Sequence, residues 1–344
     1  RLGLGGTSTK AIESIMSPET IQNDGPNGIY SYPLGQYANT DKTGTDPCAV
    51  DANDPNLAYK FGTMANETVI AQTFNKDLAN EYGKICGNYS LWSNLTIFWG
   101  CGTNLHRSPY NARNHEYYSE DAVLTSGQAV AFISGGKEYG VIIAPKHLAF
   151  NDTEINRLGV SVFMTEQQAR ENELRGTQAS IEDAGALGVM TAFNRVGITA
   201  ANAHTGLLKN ILRGEWGFKG LESQDFIMNP NYAVLKEYAL NGGTMTTFTG
   251  ENTMAAVSEK FAYWTTENVG QDTELMSAIK QAMTWQAYAL ANSNALDGMA
   301  SNTRLVSVRT WYDNALVAVQ VVFAVLTVLA AAMYVLNDRK SKKQ

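Results

Sequence analysis

From Ala315 to Leu336 the chain reads ALVAVQVVFAVLTVLAAAMYVL, with no charged residue and only Gln320, Thr327 and Tyr334 as polar interruptions. Wound as a helix, such a run can cross the hydrocarbon core of a bilayer. Arg339, Lys340, Lys342 and Lys343 follow it, and basic residues beside a span stay on the cytoplasmic side. The expected layout is a globular domain over 1–291, a polar membrane-proximal connector over 292–314, a single transmembrane helix over 315–336 and a basic cytoplasmic tail over 337–344. That makes a single-pass protein of the cell membrane, with everything before Ala315 extracellular. The chain opens RLGLGGTSTK, which lacks the basic and apolar regions of a signal peptide. Further sequence is therefore expected upstream.

The 26 basic residues are outnumbered by 33 acidic ones, for a net charge of -7. This disfavours nucleic acid as a partner, since phosphate binding relies on clustered Lys and Arg. Cys48, Cys86 and Cys101 allow at most one internal disulfide, and none has the CxxC spacing of a zinc site. No metal is expected. Asn66, Asn88, Asn94 and Asn151 head Asn-x-Ser/Thr triplets, which are glycosylation acceptors in a eukaryotic secretory pathway.

Ahead of the apolar run, short apolar stretches alternate with longer amphipathic ones: LTIFWG, SEDAVLTSGQAVAFISGG, GVIIAPKHLAF, TEQQARENELRGTQASIEDAGA, GVMTAFN. GVIIAP and LGVMTAF have the continuous apolar character of buried parallel strands, while helical spacing runs from Ala179 to Leu187 and again from Thr253 to about Ala291. Repeated strand–helix units of this kind predict an α/β fold, a (β/α)8 TIM-like barrel. Reactive groups in such barrels follow the strands, which draws attention to Lys146 and His147 after GVIIAP, Asn194 after LGVMTAF, and Asp225 after GFKGLES.

In chain order, NDGPNGI, HRSPYNARNHEYYSED, PKHLAFNDTEINR, VMTAFN, LLKNILRGEWGFKG and SQDF resemble the barrel domain of glycoside hydrolase family 3. The resemblance runs from about Gln22 to Gly250. It implies that Asp225 is the nucleophile of a retaining glycosidase. Such enzymes set a second carboxyl about 5 to 5.5 Å from the first, so that a glycosyl ester forms and water then releases it. It implies also that Asp24 accepts hydrogen bonds from sugar hydroxyls, as an acceptor-only carboxylate can. Arg107, Lys146 and His147 would donate to the same sugar and hold positive charge near Asp225, keeping it ionised. Arg157 would orient Lys146 or bind substrate, and Met190 and Phe193 would line the pocket. Arg113, Glu116 and Glu120 read instead as ion-pair partners that brace a loop.

Two positions depart from the family pattern. Phe193 stands where a Tyr is usual, and Gln224-Asp225-Phe226 replaces Ser-Asp-Trp, which alters a hydrogen bond to the nucleophile and the platform for the sugar. The general acid/base of two-domain members comes from an α/β sandwich domain that normally follows the barrel. Here an apolar helix follows, so the acid is expected outside this chain, on a sandwich domain lying upstream. Single-domain relatives that cleave N-acetylglucosaminides use a His after the Lys-His pair, and NDTEINRLG has none. The resemblance thus implies an extracellular, exo-acting, retaining β-glycosidase of β-glucosidase or β-xylosidase type, acting on oligosaccharide ends without a cofactor. The alternative is a catalytically weak surface carbohydrate-binding protein, with a membrane-anchored scaffold lacking a sugar site as a third reading.

Overall fold

The computed structural model describes residues 3–5, 8–9, 18, 20–25, 28–29, 64–93, 95–226, 234–247, 265–296 and 311–341. Cys48, Asn94 and most of the connector lie outside the described residues, as do the side chains of the basic tail. Two compact units are present, 1–301 and 302–344.

The first unit is a mixed α/β fold around a curled, mostly parallel sheet. Its main strands are β1 (Gly3–Gly5), β2 (Ser8–Thr9), β3 (Thr20–Asp24), β4 (Leu95–Gly102), β5 (Ile142–Leu148), β7 (Gly188–Thr191), β10 (Leu221–Gln224) and β11 (Met245–Thr247). Their order is β1-β11-β10-β7-β5-β4-β3-β2, so the first strand pairs with the last. A smaller sheet joins β6 (Ser161–Val162), β8 (Arg195–Val196) and β9 (Thr199–Ala200). All neighbours in the large sheet are parallel except β2, which runs antiparallel to β3. That departs from a strict all-parallel eightfold repeat, and chain length supplies the reason. Ten residues, 10–19, separate β2 from β3, fewer than the dozen or more that a crossover between parallel neighbours needs.

Strands β4, β5, β7 and β10 are buried on both faces, and successive residues of one strand serve different clusters. Ile97 and Trp99 pack with Ile142, Ala144, Met190, Leu221 and Met245, while Phe98 joins Ile143, Phe132 and Tyr82. This is the period of two that a strand imposes. Helices α1 (Glu67–Ala71), α2 (Lys76–Trp92) and α3 (Ala122–Lys137) start on Asn66, Asn75 and Asp121, each of which accepts a first-turn N–H. Helices α2 and α3 approach closely through glycine. A Cβ at Gly83 would stand 2.0 Å from the Phe132 carbonyl oxygen, and one at Gly135 2.1 Å from that of Asn80.

Some expected boundaries shift. Helical spacing to Leu187 was the expectation, but α4 (Arg175–Glu182) stops sooner, with Gly185 at φ 66° turning the chain toward β7. Strand β5 runs on through Lys146 and His147 to Leu148 rather than ending before them. Beyond β10, α5 (Leu235–Leu240), α6 (Thr266–Gln271) and α7 (Thr273–Ala291) complete the unit.

The second unit contains α8 (Trp311–Ser341). Its stretch Trp311–Leu336 contains an 18-residue window with a mean hydropathy of 2.6, none of it buried, and it is the one helix among the described residues long and apolar enough to cross a membrane. The helix begins at Trp311 rather than Ala315, so part of the expected connector is helical.

Candidate active site

Parallel strands in register bring their C-terminal ends together, and most of the residues singled out in the sequence stand there. Asp24 ends β3 opposite Trp99, Gly102 of β4 aligns with Lys146 of β5, and Met190 of β7 stands between Lys146 and Ser223 of β10. Asp225 follows β10 directly, its N–H donating to the Thr191 carbonyl at 3.3 Å. Side-chain alternation then puts Lys146, Met190, Ser223 and Asp225 on one side of the sheet.

Lys146 is 2% exposed and its ammonium meets Asp24 Oδ1 at 2.5 Å. Burial works against that charge, but Asp24 and Glu116 outweigh it, and the Lys146 pKa stays above its ordinary value. The second oxygen role of Asp24 is local: Oδ1 also accepts the Gly25 N–H at 2.7 Å.

His147 is sealed in from several directions. Asn104 grips its backbone twice, accepting its N–H at 2.8 Å and donating to its carbonyl at 2.9 Å. An N–H of Arg113 donates to Nε2 at 3.1 Å. Arginine has only donors, so this contact assigns Nε2 as the acceptor and puts the ring proton on Nδ1, which faces the Tyr117 hydroxyl at 3.3 Å. Burial, then Arg113, Lys146 and Arg157, hold the His147 pKa well below the usual imidazole value. It is a neutral ring at physiological pH.

Asp225 Oδ2 lies 3.5 Å from His147 Nε2, and Oδ1 accepts the Phe226 N–H at 2.8 Å. Positive neighbours were expected to keep this carboxyl readily ionised. Arg113, Lys146 and Arg157 do pull in that direction, but burial is the larger influence and carries the pKa up to about 6. The guanidiniums are shared with other acids. Arg113 pairs with Glu116 and stands 3.6 Å from Glu154, while Arg157 meets Glu154 at 2.8 Å. Arg157 also lies over the Phe193 ring, 4.4 Å from its centre.

The two arginines of the loop after β4 differ in their partners. Arg107, expected at the sugar, pairs with Asp152 and stands 3.5 Å from Glu173. Arg113, expected only to brace, does pair with Glu116 as its i,i+3 spacing suggests, yet the same guanidinium reaches His147 and the field of Asp225. Glu120 is exposed and accepts from Ser119. Sequence reading passed over Tyr117 and Asn104, whose contacts with His147 join distant parts of the chain, and over Glu154, whose i,i+3 spacing to Arg157 was the available signal. Asn194 ties loops together by donating to the Ala149 and Arg195 carbonyls. Asn151 is 1% exposed and donates to Tyr117, which leaves its sequon inaccessible in the folded chain. Cys86 and Cys101 are buried free thiols.

The geometry combines an acceptor-only Asp24, a fixed ammonium, a neutral imidazole and a buried carboxyl that ionises near neutrality. Comparison with known proteins gives this arrangement a context. The family model described as "Glycosyl hydrolase family 3 N terminal domain" matches residues 56–244, more than half of the chain. "Probable beta-glucosidase J" of Emericella nidulans is 31% identical over 218 residues, which is 63% of this chain and 23% of that protein. "Beta-glucosidase BoGH3A" of Bacteroides ovatus is 35% identical over 222 residues, 64% of this chain and 28% of that one. Among solved structures, beta-glucosidase 3B from Thermotoga neapolitana in complex with glycerol superposes with a TM-score of 0.70 at 24% identity, covering 86% of this chain and 39% of that one. The beta-glucosidase of Kluyveromyces marxianus gives 0.64 at 25%, covering 88% and 34%. The chain thus spans about a quarter of the length of these curated relatives.

Proposed function

The chain belongs to glycosyl hydrolase family 3, and from that premise we propose that it carries the sugar-binding and nucleophilic half of an exo-acting, retaining β-glycosidase of β-glucosidase type. The observation that carries the reading is the convergence of Asp24, Lys146, His147 and Asp225 at the ends of adjacent strands, with Asp225 buried yet ionised for the most part at neutral pH. A curled eight-stranded sheet, parallel except at β2, supports the barrel expected from the sequence.

In this reading Asp24 accepts from hydroxyls of the terminal sugar while Lys146 and Arg113 donate to others. The Asp225 carboxylate attacks the anomeric carbon and the bond to the leaving oxygen breaks as that oxygen takes a proton from a general acid. Water then cleaves the ester, giving up a proton to the same acid and restoring the carboxylate. His147, pinned by Asn104 and with its ring nitrogens facing Arg113 and Tyr117, is a neutral wall of the site beside Asp225. The acid belongs to an α/β sandwich domain of the same protein, a placement supported by the much greater length of the relatives. The unburied apolar stretch Trp311–Leu336 rises about 39 Å, enough for a bilayer core of about 30 Å. We place it as a membrane anchor, with the sugar site extracellular and the basic end cytoplasmic.

The test follows the anomer first released from an aryl β-D-glucoside by the complete protein, using proton NMR. Release of β-glucose ahead of its mutarotation is the expected result. Early α-glucose would overturn the double-displacement reading, and sugar binding without turnover would leave the carbohydrate-binding alternative.

A further inference from the structure

Beside the sugar site lies an ionic cluster with more acid than base. Arg107, from the loop after β4, pairs with Asp152 of the loop after β5 and stands 3.5 Å from Glu173, in the helical segment Ala169–Glu173. The guanidinium is 30% exposed, whereas the two carboxylates are 9% and 2% exposed. Two buried acids thus share one arginine, which reaches Glu173 through Oε1, while Glu173 Oε2 has no hydrogen-bond partner. Burial pushes the Glu173 carboxyl up to about 7 and raises Asp152 as well, with Arg107 opposing both shifts. A buried carboxylate that loses its cation is strongly unfavourable, so Arg107 is what allows Asp152 to remain in place.

The position of Asp152 matters because its neighbours along the chain enter the site. Asn151 donates to the Tyr117 hydroxyl at 2.8 Å and to Glu154 at 3.3 Å. Tyr117 in turn faces Nδ1 of His147. Glu154 divides itself between Arg113 and Arg157, the two guanidiniums that hold the Asp225 pKa down. A shift of segment 149–157 would therefore reach the imidazole and the nucleophile together. We infer that Arg107, Asp152 and Glu173 form a charge clamp that positions this segment, making Arg107 a positioning residue rather than one that touches the sugar. The effect on catalysis rests on the glycosidase reading above; the effect on segment 149–157 does not.

The test compares the complete protein with its Arg107→Gln and Asp152→Asn variants, and with Arg107→Lys as the conservative rescue. Amide hydrogen exchange is followed over 149–157 and kinetics with an aryl β-glucoside across pH 4 to 8. Each of the first two variants is expected to speed exchange in the segment by about tenfold, lower kcat more than it raises KM, and displace the acid limb of the pH profile. Lysine should restore exchange to within about threefold. Unchanged exchange in Asp152→Asn would overturn the clamp even if Arg107→Gln failed to fold. A large rise in KM with kcat and exchange unaltered would show Arg107 to be a direct sugar ligand. Absence of turnover in the unmodified protein would remove the glycosidase reading and leave the exchange result to decide the clamp.

Discussion

Lys146 and Asp225, on the two flanks of the site, are both buried yet reach opposite electrostatic outcomes. On the β3–β5 flank, Lys146 keeps its charge because Asp24 stands 2.5 Å away and contacts it directly. On the β10 flank, Asp225 has a pKa of about 6 because burial outweighs the three cations around it, two of which, Arg113 and Arg157, also face Glu116, Glu154 and His147. The number of nearby charges is thus a poor guide to ionisation. What counts is how far burial is offset by a charge committed to the group in question.

Disabling the β10 flank should have the largest effect. Asp225→Asn removes the attacking oxygen and is expected to reduce turnover of an aryl β-glucoside on the order of 10⁴-fold or more, read by steady-state kinetics, while binding of glucose by calorimetry persists. Breaking the other flank should act on stability. Asp24→Ala strands the buried Lys146 ammonium and should cost about 3 kcal/mol in urea unfolding. Lys146→Met leaves only a partly exposed Asp24 and should cost about 1 kcal/mol. Equal losses from the two would contradict the asymmetry.

Titration sharpens the contrast. Asp225 must be ionised to attack, so kcat/KM should rise with pH through about 6. Arg113→Met removes a cation that lowers this pKa, and the limb should move upward by about one unit. A limb near the ordinary aspartate value in the unmodified protein would contradict the dominance of burial. The smallest effect is expected for Phe193→Tyr, whose added hydroxyl would reach toward the nucleophile beneath Arg157. A gain of about fivefold in kcat, on the order of 1 kcal/mol, would be consistent with that placement.

Much of the scaffold was legible in the chain because buried parallel strands are continuous apolar runs. LTIFWG, GVIIAP and LGVMTAF each fall in a strand of the sheet. The short β1 and β2 carry too few residues for any period to show, and the antiparallel turn of β2 depends on connection length rather than composition. At the site, Asp24, Lys146 and His147 were readable from motifs fixed to strand ends. Arg107 and Arg113 were not separable, since six positions apart on one loop they differ only in their partners. Asp152 and Glu173, which claim Arg107, lie well down the chain. The shift of Asp225 was likewise hidden, because burial belongs to the folded state.

The most direct test of the central claim treats the complete protein with a 2-deoxy-2-fluoro-β-D-glucosyl donor bearing a good leaving group and maps the adduct by peptide mass spectrometry. A single fluoroglucosyl ester on Asp225, formed as activity is lost, is the expected result. Labelling of another carboxylate, or hydrolysis of substrate with Asp225 unlabelled, would contradict its assignment as nucleophile.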